Sequence, residues 1–306
     1  MMHIAKLMKH RWEEEPISGV GRGFDGTFAI FFYACNMRCV YCQNSKISRG
    51  VVGADTIRPS RRGEYAPERA TFERQRRKCD KVPLGDEPEK INYTSEELSE
   101  EIIKVQSENV ASISFITGAL YVDQIVETIK LAKERGLRLP IVYNSSGYET
   151  VSQIKKLDGL VDIYLPDFKY FDNELGKKLS GVPNYVDVAK LCIAEMHRQI
   201  VELKKNCSEF EPALIVRQLV LPGHTENSKQ VIKYLYETYG DDICISIMSQ
   251  YTPMLQNEGI EAFPELTRKL TEREYEKVVD FALKIGVKNA FIQEGDVAKE
   301  SFIPDF

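Results

Sequence analysis

The sequence predicts an α/β fold in which parallel strands form an open or partial barrel. From residue 94 onward, short apolar runs alternate with amphipathic segments of ten or more residues, which is the pattern of repeated βα units. The apolar runs number about six or seven, fewer than the eight strands that close a standard (β/α) barrel. A length of 306 residues suits one large domain of this kind, or one domain with small appendages.

The first predicted strand covers residues 27–33, whose side chains are almost all apolar or aromatic without alternation. Such a run is typical of a strand that is covered on both faces. Residues 1–25 precede it, and Pro16 and several glycines among them predict a turn-rich lead-in.

A basic insertion is predicted after this first strand, at residues 51–92. Between Arg58 and Lys81 basic side chains outnumber acidic ones, against the net charge of −5 of the whole chain. We interpret the stretch as a solvated arm, with a patch for an acidic partner or nucleic acid as the alternative. Cys79 lies within it, beside basic residues that would lower the pKa of its thiol if they are close in space, which leaves a redox or cluster role open.

The remaining elements follow in regular order. The run from Thr94 to Glu97 is a capping-box signature that begins the first long helix. Predicted helices occupy residues 94–108, 123–134, 150–157, 185–205, 228–239 and 271–285. Predicted strands occupy residues 110–116, 141–143, 161–165, 214–221, 243–248 and 289–293. The chain is thus divided into a lead-in (1–25), a core (26–293) that contains the insertion, and a tail (294–306).

Composition narrows the functional class. With 43% hydrophobic and 28% charged residues the chain is typical of a globular protein, and its net charge gives no overall nucleic-acid footprint. No run approaches the roughly 20 apolar residues of a membrane span, and residues 1–15 lack the apolar segment of a secretory signal. We therefore expect a cytoplasmic protein without membrane contact, a compartment that also suits reduced thiols.

Three cysteines directly follow the first predicted strand. Cys35, Cys39 and Cys42 have the spacing C-x3-C-x2-C, so their thiolates can face one soft metal centre. A ferredoxin closes a [4Fe–4S] cluster with four cysteines, whereas this set leaves one iron free to bind a small molecule. The alternatives are a structural zinc site, which needs four ligands, and a disulfide framework, which is typical of secreted chains. A non-enzymatic electron-transfer or sensor protein would need a fourth thiolate, for which Cys79 is the candidate.

The motif, with Tyr41 before its last cysteine, resembles the radical S-adenosylmethionine (radical SAM) superfamily. The longer run CNMRCVYCQN, followed by Ile47 and Ser48, is similar to relatives of the pyruvate formate-lyase activating enzyme. The resemblance implies a partial (β/α)6 TIM-like barrel of parallel strands with the cluster loop after the first strand. It also implies a [4Fe–4S] cluster on Cys35, Cys39 and Cys42, and S-adenosylmethionine as the second cofactor.

The resemblance further implies a reaction and its partners. A low-potential electron donor of the flavodoxin or ferredoxin type would drive reductive cleavage of S-adenosylmethionine, and the resulting 5′-deoxyadenosyl radical would abstract a substrate hydrogen. The implied substrate is a glycine Hα on a glycyl-radical enzyme. Other peptides, RNA or metabolites are the alternative substrates, with residues 51–92 as a recruiting arm.

Polar residues follow the predicted strands at the ends where parallel α/β folds bind ligands. Thr117 and Gly118 can serve the amino group of S-adenosylmethionine, and Arg217 its ribose or carboxylate. Asp167 and Lys169, two residues apart on an extended segment, can hold its charged groups or form only an ion pair.

Three further candidates come from the same strand ends. Tyr41 can flank the adenine, while Asn144 and Ser145 begin a segment that either binds the cofactor or makes a turn.

By resemblance, Asp167-x-Lys169 matches the Asp-x-Lys motif of activating enzymes, which binds S-adenosylmethionine and a cation. Arg217 with Pro222-Gly223 matches their strand that carries an arginine and ends at Pro-Gly. Two departures stand out. The run from Thr117 to Leu120 replaces Gly-Gly-Glu-Pro, so the usual contact to the ammonium is lost or supplied differently. Asn144 replaces an aspartate, which leaves the cation site open.

Overall fold

The computed structural model describes residues 1–49, 91–206 and 211–293. Within these ranges nine strands form one sheet, in the order β3-β1-β2-β4-β5-β6-β7-β8-β9. The strands are β1 (Met2–His10), β2 (Thr27–Phe32), β3 (Ile91–Tyr93), β4 (Ile113–Ile116), β5 (Ile141–Ser145), β6 (Ile163–Pro166), β7 (Ala213–Leu219), β8 (Cys244–Met248) and β9 (Ala290–Ile292). β2 and β4 to β9 are parallel in chain order, which confirms the predicted α/β fold with about six or seven parallel strands.

Two antiparallel strands were not predicted. β1 pairs with β2, so the lead-in contains a strand, and the cysteine loop follows the second strand of the chain. Lysines interrupt the apolar residues of β1 and obscure its pattern, although Met2 and Ile4 are fully buried. β3 pairs with β1, so the predicted insertion ends before residue 91. The rest of the insertion, with Cys79, lies outside the described residues, as does the tail from residue 294.

Helices connect successive parallel strands. Those of the described ranges are α1 (Glu15–Ser18), α2 (Ser45–Ser48), α3 (Ser95–Val105), α4 (Val122–Glu134), α5 (Val151–Lys155), α6 (Asn173–Ser180), α7 (Tyr185–Asn206), α8 (Thr225–Tyr239) and α9 (Glu272–Ile285). The predicted capping box at Thr94 is present, since its side chain accepts from the Glu97 backbone and the Glu97 carboxylate accepts from the Thr94 backbone. None of these helices is long and apolar enough to cross a membrane, as far as the described residues show.

α6 was missed by the sequence analysis. It has only eight residues, one of them Gly176, and its two leucines, Leu175 and Leu179, are too few to mark a helix in the sequence. The Asp172 side chain caps it by accepting a hydrogen bond from the Glu174 backbone, and Gly181 ends it in the left-handed conformation. Its last residue, Ser180, reaches the cysteine loop.

The segment after β1 packs on the face of the sheet opposite the main core. Ile17 of α1 is fully buried in a small apolar cluster of its own. That cluster contains Val142, Ile163, Leu165 and Ile215, which come from β5, β6 and β7. Burial of Ile17 therefore fixes α1 against these strands. The preceding residues, Glu13 and Glu14, are carried toward the same strands.

Candidate functional site

The cysteine loop begins where β2 ends. Ala34 turns the chain with a φ of 70°, a left-handed conformation that costs a non-glycine residue about 1–2 kcal/mol. The loop is held from outside by backbone hydrogen bonds, from Arg38 N to Ser180 O (3.0 Å) and from Val40 N to Leu179 O (2.9 Å). The end of α6 thus holds the loop in place against the backbone strain at Ala34.

Each cysteine sulfur of the loop has a polar neighbour. The Met37 backbone N–H donates to Cys35 Sγ at 3.4 Å, and Ser180 Oγ donates to Cys39 Sγ at 3.0 Å. Cys42 Sγ lies 3.3 Å from Ser48 Oγ. Burial raises the pKa of Cys35 to about 12 and that of Cys39 to about 11, so both are neutral thiols until a metal displaces their protons.

The loop offers three thiols, the donor set of an iron–sulfur cluster in which one iron has no protein ligand. All three thiols are free and partly exposed, and among the described residues no three His, Cys, Asp or Glu side chains converge on one metal ion. The predicted zinc alternative therefore finds no ligand set in the ranges that the structure covers. Of the other described cysteines, Cys192 is buried in α7 and Cys244 begins β8, at the opposite end of the strand from the predicted rim.

Loops after other strands hold the cysteine loop in place. Asn36 Nδ2 donates to Tyr148 O at 2.6 Å in the segment after β5. Gln43 donates to Gln250 O at 2.9 Å, and Asn257 donates to Cys42 O at 2.8 Å, both in the segment after β8. The predicted rim of strand ends is therefore physically continuous with the cysteines. Sequence reasoning missed these amides, because isolated Asn and Gln carry no spacing signal.

Thr117 and Gly118 lie at the end of β4, as predicted. Thr117 has a φ of 62° and its N–H donates to Asn144 O at 2.9 Å. Gly118 is buried, and a Cβ there would come within 2.4 Å of Ile125 Cδ1. The glycine therefore allows close packing of the turn on α4. That the pair contacts the amino group of S-adenosylmethionine stays a prediction.

Asn144 and Ser145 point in opposite directions, as neighbours in a strand do. Asn144 Nδ2 donates to Glu13 Oε1 at 3.2 Å. Ser145 is buried, donates to Glu149 Oε2 at 3.2 Å and accepts from Gly147 N at 3.1 Å. The predicted turn is thus present, and the Ser145 hydroxyl is used to build it.

Asp167 and Lys169 form an ion pair of 2.5 Å at the end of β6. The sequence analysis gave such a pair as the alternative to cofactor binding. Burial opposes charge on Lys169, but the Asp167 carboxylate, by its charge and its hydrogen bond, raises the pKa of the ammonium well above the ordinary value. A permanent positive charge therefore lies beside the cysteine loop. Binding of either residue to a cofactor stays a prediction.

One hydroxyl joins the segments after β5 and β6. Tyr185 Oη lies 2.9 Å from Ser146 O and 3.0 Å from Asp167 O, and it accepts from Lys169 N at 2.9 Å. Gly147 packs against the same point, since a Cβ there would lie 2.2 Å from Asp167 O. The position of the ion pair therefore depends on Tyr185 and Gly147.

Arg217 has partners that the sequence analysis did not foresee. Its Nε donates to Glu14 Oε1 at 2.9 Å, and its Nη2 donates to both Glu13 and Glu14. The three side chains are only 5–11% exposed. The guanidinium predicted to reach S-adenosylmethionine is bound by the lead-in segment instead, so any contact to the cofactor stays a prediction. The sequence analysis predicted only a turn for the Glu-rich stretch before Pro16, because the partner of Glu14, Arg217, lies 203 residues away.

This charged group lines a cavity of about 200 Å³, together with Trp12, Ser246, Met248, Gln250, Phe291, Ile292 and Gln293. Burial raises the pKa of Glu14 to about 7, and burial lowers the pKa of Arg217 to about 9.

Tyr41 is buried below the loop. It is 6% exposed, its hydroxyl lies 2.5 Å from that of Tyr170, and its ring packs beside Tyr251. The residue therefore contributes to the core beneath the cysteines. Contact of its ring with an adenine stays a prediction.

Comparisons with known proteins agree with this site. The family model of the Radical SAM superfamily matches residues 29–235, more than half of the chain. The uncharacterized protein MJ0674 of Methanocaldococcus jannaschii is 29% identical over 255 residues, which cover 83% of this chain and 61% of that protein.

Two solved structures share the fold. SuiB of Streptococcus suis, bound to S-adenosylmethionine, is 11% identical with a TM-score of 0.50 and covers 86% of this chain and 48% of its own. Methylornithine synthase (PylB) is 14% identical with a TM-score of 0.50 and covers 82% of this chain and 59% of its own. The chain thus spans less than two thirds of each of these three proteins.

Proposed function

The chain belongs to the radical SAM superfamily, whose members use a [4Fe–4S] cluster and S-adenosylmethionine, and on that premise we propose that it reductively cleaves S-adenosylmethionine and takes a hydrogen atom from a substrate. The observation that carries the proposal is the loop of Cys35, Cys39 and Cys42. It presents three free thiols at the carboxyl end of a parallel strand. A fourth cysteine is absent from that loop, which leaves one iron for the second cofactor.

The protein's part is to bind, orient and stabilise charge. When bound, the two cofactors supply a carbon-centred radical for hydrogen abstraction. Cys35, Cys39 and Cys42 would hold the cluster, and the Lys169 ammonium compensates negative charge beside Cys39. Asp167 can accept from an ammonium at the same rim, where Tyr185 fixes its backbone.

For the substrate we propose a glycyl-radical enzyme, with a flavodoxin or ferredoxin type protein as electron donor and the cytoplasm as compartment. Support comes from the likeness of the CNMRCVYCQN run and of Asp167-x-Lys169 to activating enzymes. The substituted Gly-Gly-Glu-Pro segment at Thr117 argues for a subgroup with its own cofactor contacts.

Release of 5′-deoxyadenosine tests the cofactor chemistry. Protein reconstituted anaerobically with iron and sulfide receives S-adenosylmethionine and dithionite, and the products are quantified by liquid chromatography. We expect release by the unchanged protein and by Cys244→Ala, a matched control away from the rim. We expect none above background from Cys39→Ala. An intact cluster without release would overturn the proposal.

The substrate is tested separately. Incubation with a candidate glycyl-radical enzyme should produce a glycyl-radical signal in electron paramagnetic resonance spectra. Transfer of deuterium into 5′-deoxyadenosine from a labelled peptide, RNA or metabolite, without that signal, would favour the other substrates. A further variant lacks residues 51–90. If it still cleaves S-adenosylmethionine but no longer turns over the substrate, the insertion serves to recruit the substrate.

A further inference from the structure

A chain of buried hydroxyl groups leads to the sulfur of Cys39. The Tyr41 and Tyr170 hydroxyl oxygens lie 2.5 Å apart, and the Tyr170 oxygen lies 2.5 Å from Ser180 Oγ. Ser180 Oγ then donates to Cys39 Sγ at 3.0 Å. Tyr170 and Ser180 are fully buried and Tyr41 nearly so, so water does not compete for these hydrogen bonds.

The direction of the chain follows from counting hydrogens. A hydroxyl has one proton to donate, and a thiolate can only accept. When Cys39 is a thiolate, Ser180 must donate to it, so Tyr170 must donate to Ser180 and Tyr41 to Tyr170. Each donation polarises the next hydroxyl and strengthens the final bond to sulfur.

The position of Ser180 is fixed by backbone contacts. Arg38 N donates to Ser180 O and Val40 N donates to Leu179 O, so the end of α6 and the cysteine loop form one unit. These bonds hold the Ser180 backbone at the cysteine loop, and the hydrogen bond with the Tyr170 hydroxyl holds its Oγ beside the sulfur. The sulfur of Cys42 has Ser48 as its neighbour at a longer 3.3 Å, which makes Cys39 the cysteine with the shortest donor contact of the three.

We propose that Ser180, backed by Tyr170 and Tyr41, raises the reduction potential of the cluster through its hydrogen bond to Cys39. Reduction adds one electron, and part of its charge falls on the cysteine sulfurs. A hydrogen bond to sulfur stabilises that charge, so it favours the reduced state. The three residues act through Cys39 and are positioning residues. Lys169 favours the same state by its charge, and it is not altered in the test below.

The midpoint potential of the full-length, reconstituted protein tests this inference. Dithionite supplies the electron without S-adenosylmethionine, and the reduced cluster is followed by electron paramagnetic resonance at poised potentials. We expect Ser180→Ala to shift the midpoint to a more negative value, and Tyr170→Phe to shift it less in the same direction, because Ser180 still donates. Tyr164→Phe, which removes a buried hydroxyl bonded to Gln199 instead, should leave it unchanged.

Ser180→Ala with full iron content and an unchanged midpoint would overturn the inference. If that variant does not bind iron, Tyr170→Phe decides, and an unchanged midpoint there overturns the inference as well. The inference rests on the cluster of the proposed function but not on cleavage of S-adenosylmethionine. A variant that shifts the potential while the enzyme releases no 5′-deoxyadenosine would therefore count against the cleavage alone.

Discussion

Glu149 is a buried acid whose ionisation should govern the pH dependence of stability. It is 2% exposed, its Oε2 accepts from Ser145 Oγ at 3.2 Å and from Cys192 Sγ at 3.6 Å, and its Oε1 has no hydrogen-bond partner among the residues that the structure describes. Burial raises the pKa of Glu149 from the ordinary 4.5 to about 7, with Asp167 adding to the rise against the hydrogen bonds from Ser145 and Cys192. The folded protein therefore favours the protonated carboxyl.

The ordinary and the raised pKa of Glu149 give the direction and the size of its contribution to the free energy of unfolding. Because the pKa is higher in the folded state, the stabilising contribution is complete below about pH 4.5, falls as the pH rises, and is lost above about pH 7. The difference between 7 and 4.5, at about 1.36 kcal/mol per pH unit, gives about 3 kcal/mol.

Glu149→Gln removes the ionisation and keeps the shape. We expect the free energy of unfolding of the variant to fall by about 3 kcal/mol less than that of the unchanged protein between pH 4.5 and pH 8. Urea unfolding of the reduced, metal-free protein at a series of pH values measures it. Glu237→Gln on α8, whose side chain is 63% exposed, is the control and should follow the unchanged protein.

Parallel stability curves for Glu149→Gln and the unchanged protein would refute the reasoning. Glu14, whose pKa is also raised, titrates in the same range in both proteins, so it cancels in the comparison. A variant that is less stable by the same amount at every pH would show that packing, not ionisation, is what Glu149 contributes.

Three further perturbations test the contacts around the rim. Gly147→Ala places a Cβ against Asp167 O and should weaken S-adenosylmethionine binding in equilibrium dialysis. Gly159→Ala is the control, because Gly159 has nearly the same φ but open space around it, and this change should cost only the backbone strain of about 1–2 kcal/mol. Equal effects of the two substitutions would contradict the close packing at Gly147. Arg217→Met leaves Glu13 and Glu14 buried without their cation and should cost about 3–5 kcal/mol in urea unfolding, part of which should return when both glutamates are also changed to glutamine. Tyr185→Phe removes the hydroxyl shared by the segments after β5 and β6 and should cost about 1–3 kcal/mol and raise the KM for S-adenosylmethionine, and an unchanged KM would show that the rim is held without it.

The parallel core could be predicted because each of its strands is marked locally. Residues 141–143 and 161–165 are apolar runs between amphipathic helices, and the structure places β5 and β6 there. β1 gave no such signal. Its pairing with β2 and β3 decides its conformation, and the lysines that hide its pattern lie beyond the three residues, Met2 to Ile4, that pair with β3.

The candidate site also contains residues that local spacing predicts and residues that it does not. Spacing alone marked Cys35, Cys39 and Cys42, because three ligands of one centre can come from one short loop. It also marked Asp167 and Lys169, which are two residues apart. The hydrogen-bond partners of Arg217 and Cys39 lie 203 and 141 residues away, and no local pattern connects them.

The sequence by itself determined the three-cysteine loop and the run of βα units of this protein, since both are written in neighbouring residues. The tertiary structure alone decided which distant side chains contact the residues of the candidate site. It brings Ser180 to the sulfur of Cys39 and Glu14 to Arg217. The physical reason is that buried polar groups must be paired, and folding selects those partners from distant parts of the chain.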